Sequence, residues 1–538
     1  MTRTRRSTVP QSDLPPIPGL PEAGLGNHAP LVHSGIRIAR NAIMNLFGQG
    51  IPLLIGIVTV PLIVRGMGTA RFGILSLAWT LLGYLSVFDF GLTRASTKFV
   101  AELVSAGERD AVPAVAWTAM TMQLALGVVG GAVLLAVARP LADHILRIPP
   151  ELIPEAEDCF LTLSAAIPVV LVFNLFRGLL EAGQRFDLIN YVRIPFNALY
   201  FLLPLAAVYA RWSLGELMAG FIFAWAIGAL IQFRCCVAVY PALARKPLPR
   251  RAWVRRLLRF GGWATVSGVV SPVLVYTDRV LIGMEATISA VGYYSAPFDM
   301  VSRLLVIPSS LVSTLFPAFS AASAAGDSHR LQLLLARATK YLLLLIGPLA
   351  LAVCVFAPSL LSLWLGRDFA HQSSNALRFL AIGILVNALA QVPFALVQGV
   401  GRPEIAAKFH LAELPIHIIL LYLGVRFWGI TGAAVAWTLR VTLDAALLYG
   451  AAVRLTTPST RAFMGERLPQ AIGMFLSGAL AIGLVVGADS SLPHQLAAAL
   501  ALAFVGVGIV WRCLFSDAER ASFGRLIPRT RAQFRDVA

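Results

Sequence analysis

Runs of about twenty consecutive apolar residues recur along nearly the whole chain, and a run of that length is what a helix needs to cross the hydrocarbon of a bilayer. In lipid each backbone N–H and C=O must find a partner within the chain, so such runs are read as helices that satisfy their own hydrogen bonds. Composition agrees: of 538 residues, 58% are hydrophobic and 13% charged, whereas about a quarter are charged in an ordinary soluble protein. The expected fold class is therefore all-α, a polytopic membrane protein of about 14 spans with no sizeable soluble domain.

The runs place helices near Asn41–Val64, Phe72–Leu92, Val112–Val137, Phe160–Leu180, Tyr191–Ala210 and Leu217–Tyr240. A second set falls near Leu258–Gly283, Ala290–Phe319, Ala338–Ala357, Ala376–Val397, Ile405–Phe427 and Ile430–Val453, and a last pair near Pro469–Ala488 and Gln495–Phe515. The corresponding domain organisation is a disordered cytoplasmic tail (1–35), a six-helix lobe (36–244), a basic linker (245–257), a second six-helix lobe (258–455), helices 13 and 14 (456–516) and a basic tail (517–538).

The net charge of +17 would suggest a nucleic-acid partner in a soluble chain, but its distribution excludes that class. About 33 of the 44 Lys and Arg lie on or beside the even-numbered connections and the tails, and about 8 on the odd-numbered ones, the bias of loops kept on the cytoplasmic side. Both termini are thus expected in the cytoplasm. Arg245, Lys246, Arg250, Arg251, Arg255, Arg256 and Arg259 lie between helices 6 and 7 on that face, a cluster that sets topology and can also hold anionic lipid. Glu151, Glu155, Glu157 and Asp158, after helix 3, face out. Arg3, Arg5 and Arg6 are followed by no apolar stretch that would make a signal peptide. Cys159, Cys235, Cys236, Cys354 and Cys513 show neither metal-ligand nor disulfide spacing, so no metal is expected.

GMGTARFGILS, Gly66–Ser76, returns as GMEATISAVGYYS, Gly283–Ser295, with two residues inserted. Pro52 pairs with Pro272, Gly183 with Gly401 and Pro195 with Pro415, all about 219 residues or six helices apart. Six being even, the copies share one orientation, as in transporters whose substrate path runs between two parallel bundles. Gly66, Gly68 and Gly73 are expected to permit a tight turn between helices 1 and 2.

The stretch SVFDFGLTRASTKFVAE (Ser86–Glu102), with Asn45, the glycines at 66, 68 and 73, and YTDRVLIG (Tyr276–Gly283), resembles the oligosaccharide and polysaccharide flippases of the multidrug, oligosaccharidyl-lipid and polysaccharide exporter superfamily. The resemblance runs from Ala39 to about Arg454. It implies alternating access by two lobes that move an undecaprenyl-diphosphate-linked oligosaccharide across a bacterial inner membrane, proton or sodium coupling, and polysaccharide-assembly proteins as partners.

Charges within the spans are the candidate functional residues, because each costs about 2.5 to 3.5 kcal/mol at a helix centre unless it faces protein or water. They are Asp278 and Arg279 in helix 7, Asp299 and Arg303 in helix 8, Glu413 and His417 in helix 11, and Arg440 and Asp444 in helix 12. Asp299 with Arg303, and Arg440 with Asp444, are four apart and expected to pair along one helical face, as structural supports or as transport groups. Arg279 projects about 100° away from Asp278, which leaves Asp278 needing a partner from another helix. For a diphosphate the planar guanidinium fork is the suitable ligand, which nominates Arg279, Arg303 and Arg440. Asp278 and then Glu413 are the candidates for loading and releasing a coupling ion; the position equivalent to Asp278 in the first copy is Val58, so the lobes are chemically unequal. Asp89 is read as a helix-end anchor.

No G-x-x-x-x-G-K-[ST] motif is present, so no nucleotide cofactor is expected. Two alternatives stand beside the flippase. One is a multidrug or cation antiporter of the same superfamily. The other is a membrane polymerase or ligase, disfavoured because the longest outer connection, Ala138–Cys159, offers only His144 as a base.

Overall fold

The structure, a computed structural model, describes residues 55–84, 88–244, 249–456 and 467–488. Outside these residues lie the expected tails, most of helix 1 with Asn45 and Pro52, part of the basic linker with Arg245 and Lys246, and all of helix 14. Within them the chain is helical and contains no strand. The helices are α1 (Ile55–Met67), α2 (Thr69–Tyr84), α3 (Leu92–Ser105), α4 (Val112–Pro140), α5 (Ile153–Ala182), α6 (Phe186–Ala210), α7 (Leu214–Val239), α8 (Arg251–Glu285), α9 (Ile288–Ser302), α10 (Val306–Ala324), α11 (Ser328–Trp364), α12 (Arg367–Gly399), α13 (Pro403–Leu455) and α14 (Leu468–Ala488). Eight of the described helical segments are long and apolar enough to cross a membrane. On α4 and α7 the large apolar side chains Val128, Val129, Val133, Phe223 and Leu230 are half or more exposed, as expected where the surrounding solvent is lipid.

Local chemistry sets the helix ends. Ser213 accepts a hydrogen bond from the Glu216 N–H while the Glu216 carboxylate accepts from the Ser213 N–H, a capping box that starts α7. Thr287 caps α9 through the Ala290 N–H, and Asp327 caps α11 through the Arg330 N–H. Between α1 and α2 only Gly68 takes a left-handed conformation, φ 80°. Gly66 and Gly73 have a different use from the expected turn, because both make room for a neighbouring helix: a Cβ on Gly66 would strike Val208, and one on Gly73 the Ile288 carbonyl.

Helix 2 was expected to run to Leu92, with a connection behind it. Instead the described part of α2 reaches Tyr84, residues 88–91 are not α-helical, and a new helix, α3, begins at Leu92 after positive φ at Phe90 and Gly91. Asp89 anchors this start, accepting from the Thr93 N–H, the Thr93 hydroxyl and the Gln123 amide. Two further expectations are corrected. Residues 251–257 of the basic linker are the first turns of α8, and helix 8 is broken into α9 and α10 by a 3-10 turn at Arg303–Leu305.

Prolines inside spans would leave carbonyls four residues earlier without a donor, a costly state in lipid. Side chains of neighbouring helices fill the gap. Pro297 frees the Tyr293 carbonyl, which Ser373 reaches at 2.8 Å; Pro358 frees that of Cys354, met by Arg378 Nε at 3.1 Å; Pro393 frees that of Leu389, met by the Tyr449 hydroxyl at 3.1 Å. Pro61 frees the Ile57 carbonyl, and Trp364 Nε1 donates to it at 2.7 Å.

Three large apolar cores follow. One joins both halves of the chain, packing Ile63, Val64, Phe72 and Leu146 with Ile282, Ile288, Val291 and Leu365. Another draws on α3, the start of α4 and the ends of α5 and α7 (Leu92, Val115, Leu179, Cys236). The third draws on the end of α10, the start of α11 and the end of α12 (Phe319, Leu335, Leu396). The first core joins the two halves, the second also takes in Leu257 at the start of α8, and the third lies within the second half.

Candidate functional site

The intramembrane charges named above come from α8, α9, the turn that follows it, and α13. Gly429, with φ 56° and ψ −136°, reverses α13. Gly424 and Gly432 lie backbone to backbone beside the reversal, so the two arms run antiparallel as a hairpin, the expected helices 11 and 12.

The two expected i,i+4 pairs are not the pairs that form. Asp299 instead accepts from Arg279 Nη2 at 2.8 Å, while Arg279 Nε donates to Ser295 at 3.1 Å and the guanidinium lies 4.9 Å from the Phe298 ring centroid. In the α13 hairpin Arg440 Nη1 faces Glu413 Oε2 across the arms at 3.7 Å, and Asp444 faces His410 Nε2 at 3.6 Å. The antiparallel arms bring residues 410–417 beside 440–444, and cross-arm partners replace the neighbour one turn along the same helix.

Asp278, Arg279, Glu413, His417 and Arg440 are all buried. Asp278 Oδ1 accepts from the Arg279 backbone N–H, and its Oδ2 has no hydrogen-bond donor among the described residues. The groups acting on it from other helices are the Tyr294 hydroxyl and the Arg440 guanidinium. Both Glu413 oxygens, both His417 nitrogens, Arg440 Nε and Asp444 Oδ1 likewise lack hydrogen-bond partners among the described residues. So many polar atoms without a partner in one buried region single it out as a candidate site.

Arg303 is placed differently. Its guanidinium lies over Phe201 of α6, 5.3 Å from the ring centroid. It lines a cavity with Val60, Trp79, Phe201, Asp299 and Trp364, which brings α1, α2 and α6 against α9 and α11. Of the three nominated arginines it alone lines this cavity; Arg279 and Arg440 lie behind it. Sequence reasoning passed over Trp79, which stacks on Tyr200 with ring centroids 4.3 Å apart and whose indole N–H has no acceptor among the described residues. A tryptophan within a spanning run carries no signal that sets it apart from a packing residue.

Known proteins share this fold. The family model described as polysaccharide biosynthesis protein matches residues 38–323, and the model described as MatE matches 266–423. A Shigella flexneri protein named for O-antigen transport is 31% identical over 76% of this chain and 96% of its own. A Haloferax volcanii protein named as a low-salt glycan biosynthesis flippase is 23% identical over 75% of this chain and 80% of its own. Among solved structures, the lipid II flippase MurJ in an inward closed conformation superposes with TM-score 0.65 at 13% identity, covering 87% of this chain and 99% of that one. An inward-facing multidrug resistance MATE family transporter superposes with TM-score 0.64 at 15% identity, covering 76% and 94%. The chain belongs to the polysaccharide biosynthesis protein family of membrane transporters, built on the fold of the multidrug, oligosaccharidyl-lipid and polysaccharide exporter superfamily.

Proposed function

We propose that the protein carries an undecaprenyl-diphosphate-linked oligosaccharide across the bacterial inner membrane by alternating access of two six-helix lobes, residues 36–244 and 258–455, with both termini in the cytoplasm. The observation that carries this reading is Arg303 in the cavity between α1, α2 and α6 on one side and α9 and α11 on the other. A guanidinium in a partly dry cavity offers a diphosphate two parallel donors and a charge that does not titrate away. Beside it Trp79, stacked on Tyr200, lines the cavity with a flat apolar ring, the complement of a sugar ring's C–H face. The names of the relatives, an O-antigen transporter and a glycan biosynthesis flippase, point to the same class of cargo.

The buried cluster behind the cavity suits ion coupling. Arg279, Arg303 and Arg440 stand against Asp278, Asp299, Glu413 and Asp444, leaving one uncompensated negative charge if the histidines are neutral. One proton or one monovalent cation cancels it. Asp278 and Glu413 hold the unsatisfied oxygens and are the proposed acceptors.

The test is translocation of a fluorescent undecaprenyl-diphosphate oligosaccharide in proteoliposomes, read by loss of protection from an impermeant quencher, with and without proton or sodium gradients. Flipping by the intact protein, with Asp278→Asn and Glu413→Gln folded but deaf to the gradient, supports the reading. The MatE match over residues 266–423 favours a second one, drug and cation exchange. Efflux of small cationic dyes without flipping of any sugar lipid would establish it instead.

A further inference from the structure

The cavity assigned above to an anionic cargo carries a carboxylate in its wall. Asp299 lines it together with Arg303, and the Asp299 side chain is 44% exposed. In a spanning segment that exposure is to the cavity, because a charge turned to lipid is costly. Asp299 and Arg303 form no ion pair among the described residues, so neither charge is spent on the other. A carboxylate beside a diphosphate repels it, and that repulsion is strong where water is scarce.

Two observations give Asp299 a use beyond neutralising Arg279. Arg279 Nη2 engages Oδ1 alone, at 2.8 Å, from a side chain that is 6% exposed, and Oδ2 accepts no hydrogen bond from any described residue. The carboxylate is thus held in place by one oxygen with the other left available. The second observation is the aromatic pair. Trp79 lines the same cavity, and the Tyr200 ring stacked on it at 4.3 Å lies within electrostatic reach of both Asp299 and Arg303. A pyranose has C–H faces that lie against a flat ring and a rim of hydroxyl groups that donate hydrogen bonds. An ionised carboxylate only accepts, which makes it a partner for those hydroxyls.

We propose that Asp299 selects the sugar next to the diphosphate, an assignment that rests on the reading of this cavity as the path of a diphosphate-linked sugar. Its available oxygen accepts from the hydroxyls of a neutral pyranose laid against Trp79, while Arg303 holds the diphosphate. The Arg279–Asp299 pair is neutral as a unit, so Arg303 keeps its positive charge for the cargo. A uronic acid in the same place sets two carboxylates side by side, and like charges in a partly dry cavity disfavour each other. The carboxylate therefore admits neutral first sugars and turns acidic ones away.

The test compares flipping, in proteoliposomes of the full chain, of two fluorescent undecaprenyl-diphosphate oligosaccharides whose first sugars are glucose and glucuronic acid, alike except at C6. Initial rates by the intact protein should favour the glucose lipid by about tenfold or more, the factor of a hydrogen bond to a charged group. Asp299→Asn keeps an acceptor for Arg279 and removes the charge; it should bring the ratio of the two rates close to one, with the glucuronate lipid gaining. The readout is a ratio within one preparation, so a smaller folded fraction in the variant does not imitate the change. Equal rates for the two lipids in the intact protein, a comparison that needs no variant, would overturn the proposal. An unchanged preference in Asp299→Asn would also overturn it, since a carboxylate that only supports Arg279 affects both lipids alike. Flipping of neither lipid by the intact protein would instead overturn the reading of the cavity itself.

Discussion

At the scale of residues, the buried charges behave as a set in which each depends on a partner distant in sequence. Removing Arg440 leaves Glu413 with no opposing guanidinium in a site where it is 1% exposed. Arg440→Met should therefore destabilise the protein by about 3 kcal/mol or more, and adding Glu413→Gln should recover a large part of that loss; thermal unfolding of the single and double variants in detergent measures both. A double variant no more stable than the single would show that the pair is not coupled. The carbonyl freed by Pro393 makes a smaller test: Tyr449→Phe should cost about 1 kcal/mol, the ordinary net worth of a hydrogen bond, and an unchanged melting temperature would mean that another donor serves Leu389. The sequence showed which charges lie within spans, because one ionised side chain in a long apolar run is conspicuous. It did not show their partners. The i,i+4 spacing of Asp299 with Arg303, and of Arg440 with Asp444, is local information, while the pairs that form, Arg279 with Asp299 and Arg440 with Glu413, depend on how separate helix segments meet.

At the scale of elements, the long apolar spans were legible because lipid leaves them few alternatives to the helix. The reversal at Gly429 was legible too, since the apolar runs part beside it. Its conformation, φ 56° and ψ −136°, is one that side chains with a Cβ rarely adopt. Gly429→Ala should cost on the order of 1–3 kcal/mol through backbone strain and loosen the face carrying Glu413 and Arg440, visible as a lower melting temperature; a variant as stable as the parent would contradict the hairpin geometry. Two elements were not legible. The polar half of α3 (Thr93, Arg94, Lys98, Glu102) lowers the hydropathy of its segment to that of a connection, although it buries Leu92, Ala95 and Val100 on its other face. The 3-10 turn that begins at Arg303 has no glycine or proline within it, only Pro297 and Pro308 some residues away.

At the scale of the whole molecule, the spacing of the repeat marked Gly73 and Gly292 as equivalents without showing that they meet. That contact comes from the folding of the two halves against each other, and so does the cavity that Arg303 lines. A lipid-diphosphate cargo should depend on this one guanidinium far more than on Arg279 or Arg440, which are packed behind the cavity wall in this state. The most direct measurement is the initial rate of flipping of a fluorescent undecaprenyl-diphosphate oligosaccharide by proteoliposomes holding the intact protein or Arg303→Met, matched for folded protein. The expected result is flipping by the intact protein and a loss of about tenfold or more in the variant, the factor that corresponds to roughly 1.5–3 kcal/mol for a hydrogen bond to a charged group. Equal rates in the two, or no flipping by the intact protein across several sugar lipids, would contradict the assignment of this cavity as the path of the cargo.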